Sequence, residues 1–392
     1  MVEISAGLEL RLESCRLNKT GSAHESCTVP EHKSVGAWRS LAARVLWEHE
    51  VVGSNPSAPT ISLDQTAGPA TERAMSPTPI MHVPPVNPRR PLRVGVQLPE
   101  VEREVRWPEY VAMARRAEEL DFDTVWVGDH LLYRFADGST RGPWEAWTLL
   151  SAIAASTSRI RLGPLVASTA FHAPAMLAKL AATVDEVAGG RLVLGLGAGW
   201  NETEFRAFGF PFDHRIDRFE EAFTIIRTLL RDGQIDFDGR YFQARDCELL
   251  PRPARPGGPP LLIGSKGARM LRITLPHVAA WNVWFADTDN SPAGVLPLRA
   301  LVDEICRDVG RDPDAVERTV AVQVQLTGGR GRVQGDYAPA RFAPLTGTPE
   351  MMAEELSAYA GEGIGEVQLV LDPITLASLD EFAPVLEILD RA

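Results

Sequence analysis

Cysteine is scarce in this chain. Its four cysteines, Cys15, Cys27, Cys247 and Cys306, are scattered, with neither zinc-ligand spacing nor the density of a disulfide framework. Long apolar runs are missing as well: none reaches the roughly 18 residues of a membrane-spanning helix, and no apolar stretch follows a basic start as in a signal peptide. Positive charge is in deficit. A net charge of -12 leaves no basic footprint for a phosphate backbone, so nucleic-acid and membrane partners are not expected. A cytoplasmic protein acting on a small molecule is the simplest expectation. Any anionic ligand would need a local positive site, and only four lysines are available to build one. No second histidine stands near His130 at ligand spacing and no His-x-His ends the first strand, so no metal is expected.

What is present divides near residue 90. Residues 1–90 mix Ser, Thr, Pro and isolated charges without sustained periodicity, and are expected to be an extension of low order. Within them, 47–60 reads like the conceptual translation of a transfer-RNA gene. That suggests a start codon assigned too far upstream, with the protein beginning at Met75 or Met81; a genuine extension is the alternative.

From Leu92 onward, strand and helix patterns alternate. Strands are expected at 92–98, 124–128, 160–166, 191–197, 261–263, 278–284, 319–326 and 366–371, with helices between them, the first at 107–120 with Pro108 in its first turn, where a missing N–H costs nothing. Eight such units over residues 91–392 imply an α/β fold, a (β/α)8 TIM barrel with loop insertions. An open doubly wound sheet is disfavoured, because no Gly-x-Gly-x-x-Gly follows the first strand. The stretches 236–260 and 328–347 are expected to be long loops beside the barrel mouth.

Chemistry should gather where the strands end. The apolar run Thr124–Gly128 stops abruptly at Asp129 and His130, a carboxylate beside an imidazole able to exchange protons near neutral pH. A structural pair is the competing interpretation. Gly264, Ser265, Lys266, Gly267 and Ala268 form a glycine-bearing turn into a helix, which would suit an anion or be only a tight turn. Trp126, Trp144, Trp147, Trp200, Trp281 and Trp284 fall near strand ends and would wall a flat ring or simply pack. His172 and His214 are loop candidates for the same pocket.

Four ordered blocks, 114–123, 125–130, 157–163 and 190–200, resemble the bacterial luciferase-like monooxygenase superfamily, more narrowly its coenzyme F420-dependent oxidoreductase branch. The resemblance implies a barrel holding a deazaflavin, or alternatively FMN, at its mouth. The ring would lie over a bulge at Leu165, Val166 and Ala167 with a non-proline cis peptide, near Gln97 and Asn201, and its phosphate on Gly264–Ala268. Asp129 would orient a proton-transferring His130. Where the family's sugar-phosphate dehydrogenases carry a glutamate, this chain has Ala198, so their acid-base chemistry does not transfer. The resemblance therefore implies hydride transfer to or from an unidentified organic substrate, in a homodimer. The alternatives are an FMN-dependent two-component monooxygenase supplied by a reductase, and a flavin-binding barrel without catalysis.

Overall fold

In the computed structural model of the chain, the described residues are 89–333, 335 and 342–391. The expectations for residues 1–88 lie outside them, as do those for part of the 328–347 stretch. Short runs rich in Val, Leu and Ile form eight parallel strands: β1 (Arg93–Gln97), β2 (Thr124–Val127), β3 (Arg161–Pro164, resuming at Ala167–Ser168), β4 (Leu194–Gly197), β5 (Leu261–Gly264), β6 (Ala280–Val283), β7 (Glu317–Gln325) and β8 (Ile364–Asp372). They follow one another as β3-β2-β1-β8-β7-β6-β5-β4 and return to β3. The two halves of β3 close the ring. Its first half pairs with β2, Leu162 opposite Val125, and its second with β4, Ala167 opposite Leu196. Across the join, the Val193 N–H donates to the Leu162 carbonyl at 2.9 Å.

The outer layer consists of α1 (Trp107–Glu119), α2 (Ala146–Ser156), α3 (Pro174–Val187), α4 (Glu202–Phe208), α5 (Arg215–Asp232), α6 (Ala268–Thr274), α7 (Pro292–Asp308), α8 (Pro349–Gly361) and α9 (Leu376–Leu389). The longer helices each bury an apolar stripe. In α1 that stripe is Tyr110, Met113, Ala114 and Ala117, at the spacing of one helical face. α2 begins at Ala146, because the Glu145 carboxylate accepts the Trp147 and Thr148 N–H groups at 2.8 and 2.7 Å and so sets the cap.

Two expectations need correction. The stretch 236–260 is not a loop at the mouth: it belongs largely to an antiparallel hairpin, Gln234–Asp238 with Gln243–Glu248, packed on α5. Glu221 of α5 accepts the N–H groups of Arg240, Tyr241 and Phe242 at the hairpin's tip, which fixes it there. The cis peptide expected within Leu165–Ala167 is absent as well; among the described residues the cis bonds are Leu250–Pro251 and Asp372–Pro373. The break in β3 is accommodated by its neighbour. A Cβ on Gly195 would stand 1.9 Å from the Leu165 carbonyl oxygen and 2.5 Å from that of Pro164, so the backbones approach where no side chain intervenes.

Inside the barrel the layers differ in chemistry. At the bottom, Arg93 pairs with Glu317 and with Glu366, the latter at 3.1 Å, and Arg161 reaches Glu366 at 3.4 Å. Above this floor Trp126 fills the bore, 1% exposed, its indole N–H donating to Glu366 at 3.0 Å. Gly95 makes the space, since a Cβ there would lie 2.5 Å from the indole nitrogen. The residues above Trp126 line an open cavity.

Gly195→Ala should destabilise the protein by about 2–3 kcal/mol in urea denaturation, because the added methyl meets the Pro164–Leu165 backbone. Gly361→Ala, where a Cβ meets nothing within 4 Å, should instead raise stability by about 0.5–1 kcal/mol. Equal effects of the two substitutions would contradict the close approach at β3.

Candidate functional site

A cavity of about 770 Å³ opens at the carboxyl ends of the strands, a size suited to a cofactor with a small substrate. Every barrel strand from β1 to β7 contributes to it, either at its end or through the loop that follows, and Arg215 and Ile216 close the side at the start of α5. Of the residues expected from sequence, Gln97, Asp129, His130, Leu165, Val166, Gly264, Ser265 and Lys266 line it. Ala167, Asn201, Gly267 and Ala268 do not. Ala167 is fully buried behind the wall. Asn201 caps α4, accepting the Thr203 N–H at 3.2 Å, while its amide donates to the Leu132 carbonyl at 3.1 Å. Gly267 and Ala268 form the start of α6, where the Gly267 N–H donates to the Ser265 hydroxyl at 3.2 Å.

The tryptophans divide between wall and core. Trp200 and Trp284 line the cavity. Trp126, Trp147 and Trp281 are buried, and Trp144 lies outside the site with its indole donating to the Val105 carbonyl at 2.8 Å. His172 stands behind the wall, with Nε2 4.0 Å from Asp129, and His214 is a half-exposed neighbour of Asp213 and Asp217 on α5.

His130 is held by a residue the sequence did not suggest. Its Nδ1 lies 3.0 Å from Oε1 of Glu204, a carboxylate only 1% exposed on α4, whose Oε2 accepts the Leu131 N–H at 2.9 Å. The expectation that Asp129 orients His130 is therefore corrected: Asp129 Oδ2 accepts the Ser168 N–H at 2.9 Å and ties β2 to the second half of β3. On the other side of the ring, Nε2 is 4.0 Å from Oε1 of Glu100, beyond hydrogen-bond range. Tyr133 at 5.0 Å and the edge of Trp200 at 5.6 Å confine the imidazole.

Glu100 is the second residue missed. It accepts from the Gln97 amide at 2.7 Å and the Tyr133 hydroxyl at 2.8 Å, and Arg332, from the segment after β7, approaches it at 3.5 Å. The Arg332 guanidinium also faces Glu102 at 2.9 Å and lies 5.3 Å from the Trp284 ring centre. No local pattern marks these residues, because Glu204 and Arg332 meet their partners across 74 and 232 positions of chain.

The acids compete for protons in different ways. Burial raises the Asp129 pKa to about 7, against the lowering effects of the Ser168 N–H and of His130. Burial of His130 opposes its charged form, but Glu100 and Glu204 outweigh that and hold its pKa above the usual imidazole value. The site thus sets a carboxyl that titrates near neutral pH beside an imidazole whose protonated form is favoured. The positive groups at the mouth are already engaged: Lys266 pairs with Asp287, and Arg215 donates to the Gly199 carbonyl at 2.7 Å and stacks on Phe212.

A carboxyl group whose pKa is higher folded than unfolded binds its proton more tightly in the fold. Its contribution to stability is fully present below about pH 4 and is lost as pH rises toward 7. Asp129→Asn keeps the acceptor for Ser168 without the charge. Between pH 4.5 and 8, urea denaturation should show the stability difference shifting in favour of the variant by about 3 kcal/mol; parallel curves for the two proteins would refute the assignment.

Three comparisons bear on this barrel and its mouth. The chain is 32% identical over 212 residues to the pyrimidine monooxygenase RutA of Cronobacter turicensis, covering 51% of this chain and 54% of that protein, so it spans about half the length of that relative. It is 29% identical over 269 residues to the F420-dependent glucose-6-phosphate dehydrogenase of Amycolatopsis mediterranei, 65% of this chain and 77% of that one. The structure of an F420-dependent secondary alcohol dehydrogenase in complex with an F420-acetone adduct superposes with a TM-score of 0.63 at 21% identity, covering 76% of this chain and 99% of that one, which shows a shared fold. The family profile described as luciferase-like monooxygenase matches residues 92–362, from β1 through α8 and short of β8 and α9, and the chain belongs to that family.

Proposed function

We propose that the protein is a coenzyme F420-dependent oxidoreductase that moves a hydride between the deazaflavin and a small organic substrate. The observation that carries this reading is an imidazole fixed by a carboxylate on the wall of a cavity large enough for both reactants. Two of the similar proteins above are named for this coenzyme, which supports it.

The lining fits a flat ring system. Gly197 and Gly264 carry no side chains, and a Cβ on either would come within 2.4 Å of Val166, so Val166 rests on two bare stretches of backbone as a low platform. Beside it, Gln97 Oε1 and Ser168 Oγ are buried without hydrogen-bond partners among the described residues, and would serve the polar edge of a ring. Ser265 and Lys266 would hold a phosphate. When bound, the deazaflavin supplies two-electron hydride exchange at its C5.

The protein's own groups do the rest. His130 gives or takes the proton that accompanies hydride transfer, worth about 10²–10⁴ in rate. Trp200 and Trp284 exclude water from the reacting pair. The RutA match favours a second reading, an FMN-dependent monooxygenase supplied with reduced flavin by a reductase, in which the same platform and phosphate residues serve FMN. A homodimer in the cytoplasm completes the proposal.

Fluorescence titration should give affinity for F420 at least tenfold above that for FMN; the reverse order would favour the monooxygenase. His130→Ala should retain coenzyme affinity while losing about 10²-fold or more in turnover. Full turnover in that variant would remove His130 from the mechanism.

A further inference from the structure

We propose that Glu204 is the positioning residue of the proton-transfer step, holding His130 with Nδ1 as donor so that Nε2 is the atom that exchanges the proton with substrate. The inference rests on the hydride-transfer reading above. Its geometry stands independently of that reading. A carboxylate offers only acceptors, so across the 3.0 Å contact with Glu204 Oε1 the hydrogen belongs to Nδ1. The other carboxylate oxygen is committed to the Leu131 N–H at 2.9 Å, which prevents the side chain from turning away. Adjacent residues of one loop thus occupy both oxygens of one buried carboxylate.

The helix carrying Glu204 is fastened to the same loop. Asn201, which caps α4, donates its amide to the Leu132 carbonyl at 3.1 Å, so the first turn of α4 and residues 130–132 are joined at three successive positions. In an Asn-x-x-Glu spacing the glutamate commonly serves its own helix start. Here its oxygens face His130 and Leu131. The wall position Ala198 carries no acid, and the carboxylate that meets the imidazole comes from α4.

Nε2 is left for chemistry. The groups around the ring are Glu204 at Nδ1, Glu100 at 4.0 Å from Nε2, the neighbouring Asp129, and the Tyr133 and Trp200 rings, with Arg332 paired to Glu100 and Glu102 rather than to the imidazole. In the reducing direction the bound coenzyme would supply the hydride to a substrate carbon, and Nε2 would deliver the proton to the adjacent substrate atom, leaving neutral imidazole. The reverse direction returns both. The Glu204 carboxylate favours the imidazolium that precedes reduction.

The test uses the full chain labelled with ¹⁵N-histidine and without coenzyme, so it stands whether or not F420 proves to be the cofactor. His130→Asn identifies the resonances. In the wild type the neutral ring should carry its proton on Nδ1, and in Glu204→Gln the His130 titration midpoint should fall, with Glu204→Asp restoring part of the difference. An unchanged midpoint in Glu204→Gln overturns the proposal. If that variant does not fold, the wild-type tautomer decides, and a neutral ring protonated on Nε2 overturns it equally. With coenzyme and substrate, Glu204→Gln should lower kcat by about 10²-fold with KM within about threefold, and move the pH profile of kcat in the same direction as the midpoint; a loss confined to KM would assign Glu204 to binding.

Discussion

Trp126 lies across the bore of the barrel, and both the floor beneath it and the cavity above depend on its place there. It can occupy that place because Gly95 has no side chain, and it is fastened by one hydrogen bond to Glu366. Below it, ionised groups are buried among partners. Such pairs stabilise little in net terms, since desolvation consumes most of their attraction, yet removing one member would leave a charge unpaired. Above it, the strand ends open to solvent on one side only. A bulky indole therefore separates a layer where charges must stay paired from one where protons must move.

The upper layer concentrates acids around one imidazole. Glu100, Asp129 and Glu204 are nearly inaccessible, and each answers burial through different partners. Asp129 has a backbone N–H and a raised pKa, whereas Glu100 has an amide, a phenol and a guanidinium. The imidazole gains from all three. The result is a ring fixed in orientation by hydrogen bonding at one nitrogen and by aromatic contacts on its faces, rather than by packing alone.

The barrel could be read from the sequence because its evidence is local. Apolar runs such as Thr124–Val127 and helical stripes such as Tyr110, Met113 and Ala117 each lie within one element, and eight alternations leave few closed arrangements. Strand ends could be read for the same reason, so most of the expected site residues do line the cavity. What escaped was long-range. Glu204 looks like an ordinary acid near a helix start, Arg332 sits in a segment with no periodic pattern, and Asn201 resembles a site residue while serving as a cap. The hairpin of Gln234–Glu248 escaped because its alternation is half polar and its stability comes from Glu221 on another element. The close approach at the β3 break depends on Gly195, which lies in a different strand.

The contact between Lys266 and Asp287 has a consequence for which ligands the mouth can admit. The lysine side chain is 61% exposed, and a pair of that kind contributes about 0–1 kcal/mol, so it opens easily. In the proposed reading, a cofactor phosphate would take the place of this carboxylate on Lys266. Asp287 closes the short turn Phe285–Asp287 that begins beside Trp284, and Trp284 and Phe285 both border the cavity. In the proposed reading, the lysine that would hold the phosphate is thus joined through one ion pair to the turn that carries the aromatic wall.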